Sequence, residues 1–145
     1  MKKIFSALSF LLMAGIMAFA NDEKKIDPKV IAAFQKEFSF AENAKWELKG
    51  ELAQVNFSMN DQGFVAWYND EAELLSTARN LLYMQLPLSV IRTLEQEYAD
   101  ADLSGFTEIT RNGETYYRFQ AERKNKKFEM KAMPSGNVTV VKRVK

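Results

Sequence analysis

Two stretches of the sequence decide the fold: PKVIAAFQKEF at residues 28–38 and PLSVIRTLEQEY at residues 87–98. Their apolar positions match at an offset of 60 residues as Val30/Val90, Ile31/Ile91, Phe34/Leu94 and Phe38/Tyr98. This spacing places four apolar side chains along one side of an α-helix. Each stretch therefore predicts an amphipathic helix with proline at its start, where the missing N–H group leaves no helical hydrogen bond unmade. Asp27 is expected to cap the first helix.

Each predicted helix is followed by segments in which apolar and polar residues alternate, as they do in half-buried antiparallel strands. The clearest of these are residues 53–59, 116–122 and 128–132. Asn112-Gly113 is a strong hairpin signal, because both residues of such a turn need positive φ. Shorter predicted strands cover residues 46–48, 64–68, 73–79, 106–111 and 138–144.

We therefore predict an α+β fold of two tandem repeats, residues 26–85 and 86–145, each with one helix and about four strands. An alternating strand has one apolar face, and an amphipathic helix has one apolar stripe. Packing both helices on one face of a single antiparallel sheet covers all of this surface. We expect Phe34 and Leu94 to share one core layer, and residues 81–86 to connect the repeats.

The first twenty residues have the pattern of a secretory signal. Lys2 and Lys3 precede an uncharged run, residues 4–19, and Ala18-Phe19-Ala20 is a typical cleavage site. The run is shorter than the roughly 20 apolar residues that span a bilayer as a helix. We expect residues 1–20 to be a signal peptide and residues 21–145 to be one mature domain, periplasmic or secreted, with no membrane contact after cleavage.

Composition excludes several classes of function. Lys and Arg number 20 against 19 Asp and Glu, and His and Cys are absent. Balanced charge argues against nucleic-acid binding, which needs a concentrated basic surface, and the basic residues 123–127 are interpreted as a hairpin turn. Without His and Cys there is no disulfide, no Ser–His or Cys–His catalysis and no His- or Cys-ligated metal. Asp100/Asp102 and Glu71/Glu73 have the spacing of solvated turn residues, so we expect no enzyme activity and no cofactor.

The sheet face turned away from the helices is the predicted interaction surface. By alternation, its candidate contact residues are Trp67, Tyr116, Arg118, Gln54, Asn56 and Val65, with Ser58, Gln120, Glu129 and Lys131 beside them. Trp, Tyr and Arg are the residue types most enriched at interface hot spots, and a Trp exposed on an open sheet indicates a partner. The alternative interpretation is that Trp67 packs among long neighbouring side chains.

The order of these elements resembles the PepSY-like, beta-lactamase-inhibitor-like family of exported Bacteroidetes proteins. The resemblance rests on the helix V-I-x-x-F-x-x-x-F at 30–38, AENAKWE at 41–47, Ala78-Arg79-Asn80 followed by Leu86-Pro87, and NGETYY at 112–117. It implies two helix-on-sheet units with an open, concave face, which in the inhibitor architecture grips a loop of the partner enzyme. This chain lacks the cysteines that form disulfides in that inhibitor's repeats.

The sequence thus predicts an exported, non-catalytic binding module for an unknown protein or peptide partner, with a peptidase-inhibitor-like domain among the candidates. One alternative is an envelope structural or stress protein without a specific ligand. The weakest alternative is a carboxylate-type hydrolase.

Overall fold

The computed structural model of the chain describes residues 25–144, so the predicted signal peptide, residues 1–20, lies outside the described residues. The helices are α1, Pro28–Glu37, and α2, Leu88–Glu97. The strands are β1 (Glu42–Lys49), β2 (Leu52–Met59), β3 (Gln62–Tyr68), β4 (Leu74–Asn80), β5 (Asp102–Arg111), β6 (Glu114–Arg123), β7 (Lys126–Ala132) and β8 (Val138–Val144). A short 3₁₀ helix, Tyr83–Gln85, lies between β4 and α2. No helix within 25–144 is long and apolar enough to cross a membrane.

The eight strands form one antiparallel sheet in chain order, from β1 at one edge to β8 at the other. Three tight turns have positive φ at both central residues: Asn60-Asp61, Asn112-Gly113 and Lys124-Asn125. This conformation matches the twist of the flanking strands. The last turn confirms that the basic residues 123–127 surround a hairpin.

The helix starts are held in two different ways. The Asp27 carboxylate accepts a hydrogen bond from the Lys29 backbone N–H at 2.9 Å, which confirms it as the cap of α1. In α2, the Thr93 hydroxyl donates to the Gly136 carbonyl oxygen at 2.8 Å, and the Ser89 hydroxyl donates to the Pro134 carbonyl. These bonds fasten α2 to the turn between β7 and β8.

Both helices cover the same face of the sheet, as predicted. Residues directly opposite each other in an antiparallel pair share a face. One such row runs through Phe57, Phe64, Arg79, Glu108 and Tyr117. Phe57 meets Phe34 of α1 with ring centroids 5.0 Å apart, and Tyr117 belongs to the cluster that contains Leu94 of α2. The expected α+β fold with two helices on one face is confirmed.

The expectation of one shared core layer is wrong, because the buried residues form two clusters. Phe34, 4% exposed, lies in the cluster under α1, and Leu94, 1% exposed, lies in the cluster under α2. Between the clusters, β4 and β5 carry polar side chains on the helix side. Arg79 Nε donates to Glu108 Oε1 at 2.7 Å on this strip. This ion pair is half-buried and keeps some contact with water, so the apolar layer is interrupted there.

The two repeats correspond along their whole length, but their offset is not constant. The helices begin 60 residues apart at Pro28 and Leu88, whereas β2 and β6 begin 62 apart and β3 and β7 begin 64 apart. The bulges correspond as well: β1 and β5 each contain one, with positive φ at Asn43 and Gly105, which are 62 residues apart. The predicted match of the helices at an offset of 60 residues is confirmed, and the offset rises to 62 and then 64 along the strands.

Gly136 is expected to be the least replaceable glycine. It is buried, with φ of 94°, and a Cβ there would lie 2.8 Å from the Ser89 carbonyl oxygen. Gly136→Ala should cost about 2 kcal/mol of unfolding free energy, through backbone strain and displacement of α2. The matched control is Gly63→Ala, whose Cβ meets nothing within 4 Å and which should change stability by less than about 0.5 kcal/mol. Denaturant unfolding measures both, and equal stability of the two variants would contradict this account.

Tyr68 provides a test of core polarity. Its side chain is 1% exposed and its hydroxyl has no hydrogen-bond partner within residues 25–144. Tyr68→Phe removes this unpaired buried group and should stabilise the fold by about 1 kcal/mol at neutral pH. The control is Tyr116→Phe on the other face, which should leave stability unchanged. A less stable Tyr68→Phe protein would show that the hydroxyl is paired.

The same residue predicts a loss of stability in alkali. Burial, and secondarily the charge of Glu37, raise the pKa of Tyr68 to about 12 from its ordinary 10. Because the folded pKa lies above the unfolded one, this group's contribution is complete below pH 10 and is lost as the pH rises from 10 to 12. We expect the wild type to lose more unfolding free energy over this interval than Tyr68→Phe. Parallel loss in both proteins would contradict it.

Candidate interaction face of the sheet

All six residues expected on the open face lie on the side of the sheet opposite the helices. Gln54 is the direct partner of Trp67, and Asn56 is the direct partner of Val65. Their chain neighbour Val55 points to the helix side, where it is 0% exposed. The remaining two residues, Tyr116 and Arg118, lie on β6, whose intervening residue Tyr117 is buried under α2.

An apolar row crosses the middle of the open face. Val65 pairs with Ala78, Ala78 with Ile109, and Ile109 with Tyr116, so four strands contribute one residue each. All four side chains are half-buried. Sequence reasoning missed Ala78 and Ile109. Polar residues occupy both faces of β4 and β5, so only the pairing register could have revealed these two.

Trp67 lies in the next row, between Gln54 on β2 and Ser76 on β4. The row continues through Arg111 on β5. Trp67 is half-buried, so its ring is partly covered by neighbours on the face and partly accessible. Trp67 is therefore neither fully exposed, as a contact residue on an open sheet would be, nor fully packed among its neighbours.

Charged side chains surround one carboxylate at the β6–β8 end of the open face. Arg118 Nη1 donates to Glu129 Oε1, and Lys142 Nζ lies 3.1 Å from Glu129 Oε2. Lys131 Nζ lies 4.5 Å from the centroid of the Tyr116 ring, a cation–π contact. Two cations thus pair with the Glu129 carboxylate while a third lies over the Tyr116 ring, and the Arg118 Nε atom is buried with no hydrogen-bond partner within residues 25–144. This end of the face therefore carries excess positive charge and, within the described residues, an unpaired hydrogen-bond donor, the Arg118 Nε atom.

A shallow recess opens where the face meets the β2–β3 turn. It has a volume of about 380 Å³, and its lining includes Asn56, Gly63, Val65, Ala78 and Thr107. Gly63 has no side chain to fill the space between its neighbours. The recess extends the apolar row and gives the face a concave end that can receive a projecting side chain.

The acidic pairs that a hydrolase would need do not converge. Asp100, Asp102, Glu71 and Glu73 are all exposed. Asp100 Oδ2 is 2.6 Å from the Arg123 Nε atom in a surface ion pair. Within residues 25–144, no three acidic side chains come together where they could hold a metal ion. The arrangement of the open face is suited to contact with another molecule.

The fold is shared with solved structures from Bacteroides. A BLIP-like protein from Bacteroides fragilis is 21% identical with a TM-score of 0.74, covering 85% of this chain and 92% of that one. A DUF2874 family protein from Bacteroides uniformis is 16% identical with a TM-score of 0.72, covering 82% of this chain and 88% of that one. A candidate periplasmic protein from Bacteroides eggerthii is 18% identical with a TM-score of 0.70, covering 81% and 87%.

These similarities confirm the resemblance stated from the sequence at the level of the fold. No protein-family model matches the sequence, and no curated protein is similar to it in sequence. The chain has the α+β architecture of BLIP-like proteins, with two helices on an open eight-stranded antiparallel sheet.

Proposed function

We propose that this chain is an exported, non-catalytic module that binds a protein partner through the open face of its sheet. The observation that carries the proposal is the half-buried apolar row Val65, Ala78, Ile109 and Tyr116, flanked by Trp67 and Arg118. Aromatic and arginine side chains within an apolar patch are typical of the residues that dominate binding energy.

The fold supports the compartment and the type of activity. A structural neighbour is a candidate periplasmic protein, and another is BLIP-like. The signal-like residues 1–20 agree with export. In an inhibitor-like arrangement, the recess beside Gly63 would receive a loop of the partner, and the aromatic row would cover the loop's apolar side.

The charges of the face favour a partner loop with an acidic residue. Arg118 and Lys142 share one carboxylate, that of Glu129, and Lys131 adds a further positive charge over the Tyr116 ring. The Lys142 side chain is 67% exposed, so its ammonium group could donate a hydrogen bond to an incoming carboxylate. Charge-assisted bonds of this kind are stronger than neutral ones.

The test is binding by single-residue variants of the open face. Trp67→Ala and Arg118→Ala should each weaken partner binding by about 2 kcal/mol, roughly 30-fold, as expected for interface hot spots. Ser76→Arg adds bulk to the same face without removing a packed side chain and should also weaken binding. The matched control is Arg92→Ala, an exposed cation of α2 on the other side of the sheet.

Partners are first captured from the cell envelope with the wild type, and their affinities are then measured with purified protein. Unfolding midpoints measured in parallel show whether each variant is folded. If Trp67→Ala, Arg118→Ala and Ser76→Arg all bind the partner as the wild type does, the open face is not the binding surface. Capture of only abundant, nonspecific proteins would favour an envelope structural or stress protein without a specific ligand.

A further inference from the structure

A groove lies on the helix side of the first repeat, between α1 and the beginning of β1. Its volume is about 180 Å³, and its apolar lining consists of Ile31, Phe34, Phe38, Ala41, Ala44 and Trp46. Within the described part of the chain, β1 is an edge strand, so no neighbouring strand pairs with its outer side. An apolar groove beside a free strand edge is suited to binding an extended segment by strand addition.

The second repeat shows what fills this geometry. There β5, the counterpart of β1, pairs with β4 along residues 76–80 and 107–111. Immediately after β4, the Leu81 N–H donates to the Phe106 carbonyl oxygen at 2.8 Å. The Tyr83 ring then meets the Phe106 ring edge-on, with centroids 5.7 Å apart. Leu81 and Tyr83 both pack into the cluster under α2.

The walls of the two sites correspond. At the helix offset of 60, the pairs are Ile31/Ile91, Phe34/Leu94, Phe38/Tyr98 and Ala41/Ala101. Gln35 also lines the open groove, and its counterpart is Glu95. The Tyr83 ring packs against Phe106 and into the cluster under α2; burial, and secondarily the charge of Glu95, raise its pKa. Tyr83 therefore occupies the position in the second repeat that matches the open groove in the first.

The sequence of the first repeat does not provide equivalent apolar residues. At the same offset, Leu81 and Tyr83 correspond to Asn21 and Glu23. Neither a carboxamide nor a carboxylate is suited to burial beneath an apolar helix stripe, because burying a polar group without a partner costs free energy. These two residues are therefore unsuited to fill the groove as Leu81 and Tyr83 do in the second repeat.

A second difference between the repeats lies at the end of the groove. Phe40 is 86% exposed and stands between Ser39 and Ala41, which both line the groove. Its counterpart in the second repeat, Asp100, is held by Arg123 in an ion pair. The first repeat therefore exposes a large aromatic side chain where the second carries a solvated charge.

We propose that this groove binds an extended segment of a partner protein, which adds to β1 as an antiparallel strand and inserts two apolar residues beneath α1. The two residues are separated by one residue, as Leu81 and Tyr83 are, and the second of them is aromatic. Phe40 covers the end of the bound segment. This site lies on the opposite side of the sheet from the open face, so the two proposals stand or fall separately.

The test uses a synthetic peptide with the sequence of residues 76–86, STARNLLYMQL, because this segment fills the matching position in the second repeat. The chain has two tryptophans, so Trp67→Phe leaves Trp46 as the only one, and its fluorescence then reports on the groove. We expect a saturable change in Trp46 emission. A peptide with serine in place of Leu81 and Tyr83 should bind about tenfold more weakly or worse.

Two variants of the protein localise the effect. Ala44→Arg fills the groove from an exposed position and should abolish the fluorescence change. Lys45→Ala alters the next residue, which pairs with Asn56 on the open face, and should leave it intact. Arg118→Ala should also leave it intact, which separates this site from the proposed function.

Three results would overturn the proposal. The first is no saturable change in Trp46 emission at millimolar peptide. The second is equal peptide binding by Trp67→Phe with and without Ala44→Arg. The third is self-association of the wild type, seen by sedimentation, that Ala44→Arg abolishes, because a second copy of the chain would then occupy the groove.

Discussion

The structure depends on how much of an eight-stranded sheet two short helices can cover. Strands about 4.8 Å apart make the sheet roughly 34 Å wide, whereas each helix is about 10 Å in diameter and its ten residues extend about 15 Å. Two such helices cannot cover the whole width. The uncovered strip falls on β4 and β5, where Arg79 and Glu108 face the helix side. The division of the core into two clusters and the polarity of the strip between them both follow from this shortage of cover.

The sequence predicted those helices and strands in which one face is consistently apolar and buried and the other is consistently polar. Phe34 and Leu94 lie in stripes of helical period, and β2 and β6 alternate cleanly, so the helices, the buried face and the open-face positions of Gln54, Trp67 and Arg118 could be derived. The strands β4 and β5 could not be placed in the same way, because most of their side chains are only half-buried and polar residues occur on both faces, although Phe106 of β5 is buried. Ala78 and Ile109 were therefore missed, and the two clusters were taken for one. Trp67 is flanked by Gln54 and Ser76 on the adjacent strands, and no local sequence pattern specifies such cross-strand neighbours.

The two repeats have the same order of helix and strands but differ in how the groove beside each helix is filled. In the second half, the residues after β4 cover the groove beneath α2, and Asp100 is neutralised by Arg123. In the first half, the corresponding groove is open and Phe40 is exposed. Within residues 25–144, the first strand of the first unit, β1, lies at a sheet edge, whereas the first strand of the second unit, β5, pairs with β4. The two repeats therefore share one arrangement of helix and strands but differ in the surface that they expose.

The chain-order arrangement of the sheet also affects how the protein folds. Every strand pairs with its immediate predecessor, and the cluster under α1 contains residues only from 26 to 72. Apart from β4 and β5, which α2 separates, paired strands are joined by short connections, and locally paired strands correlate with rapid folding. A chain that emerges amino terminus first can complete its first apolar cluster while the remainder is still extended. The second half then grows onto β4 as onto a template, which leaves little time for unpaired strands to aggregate.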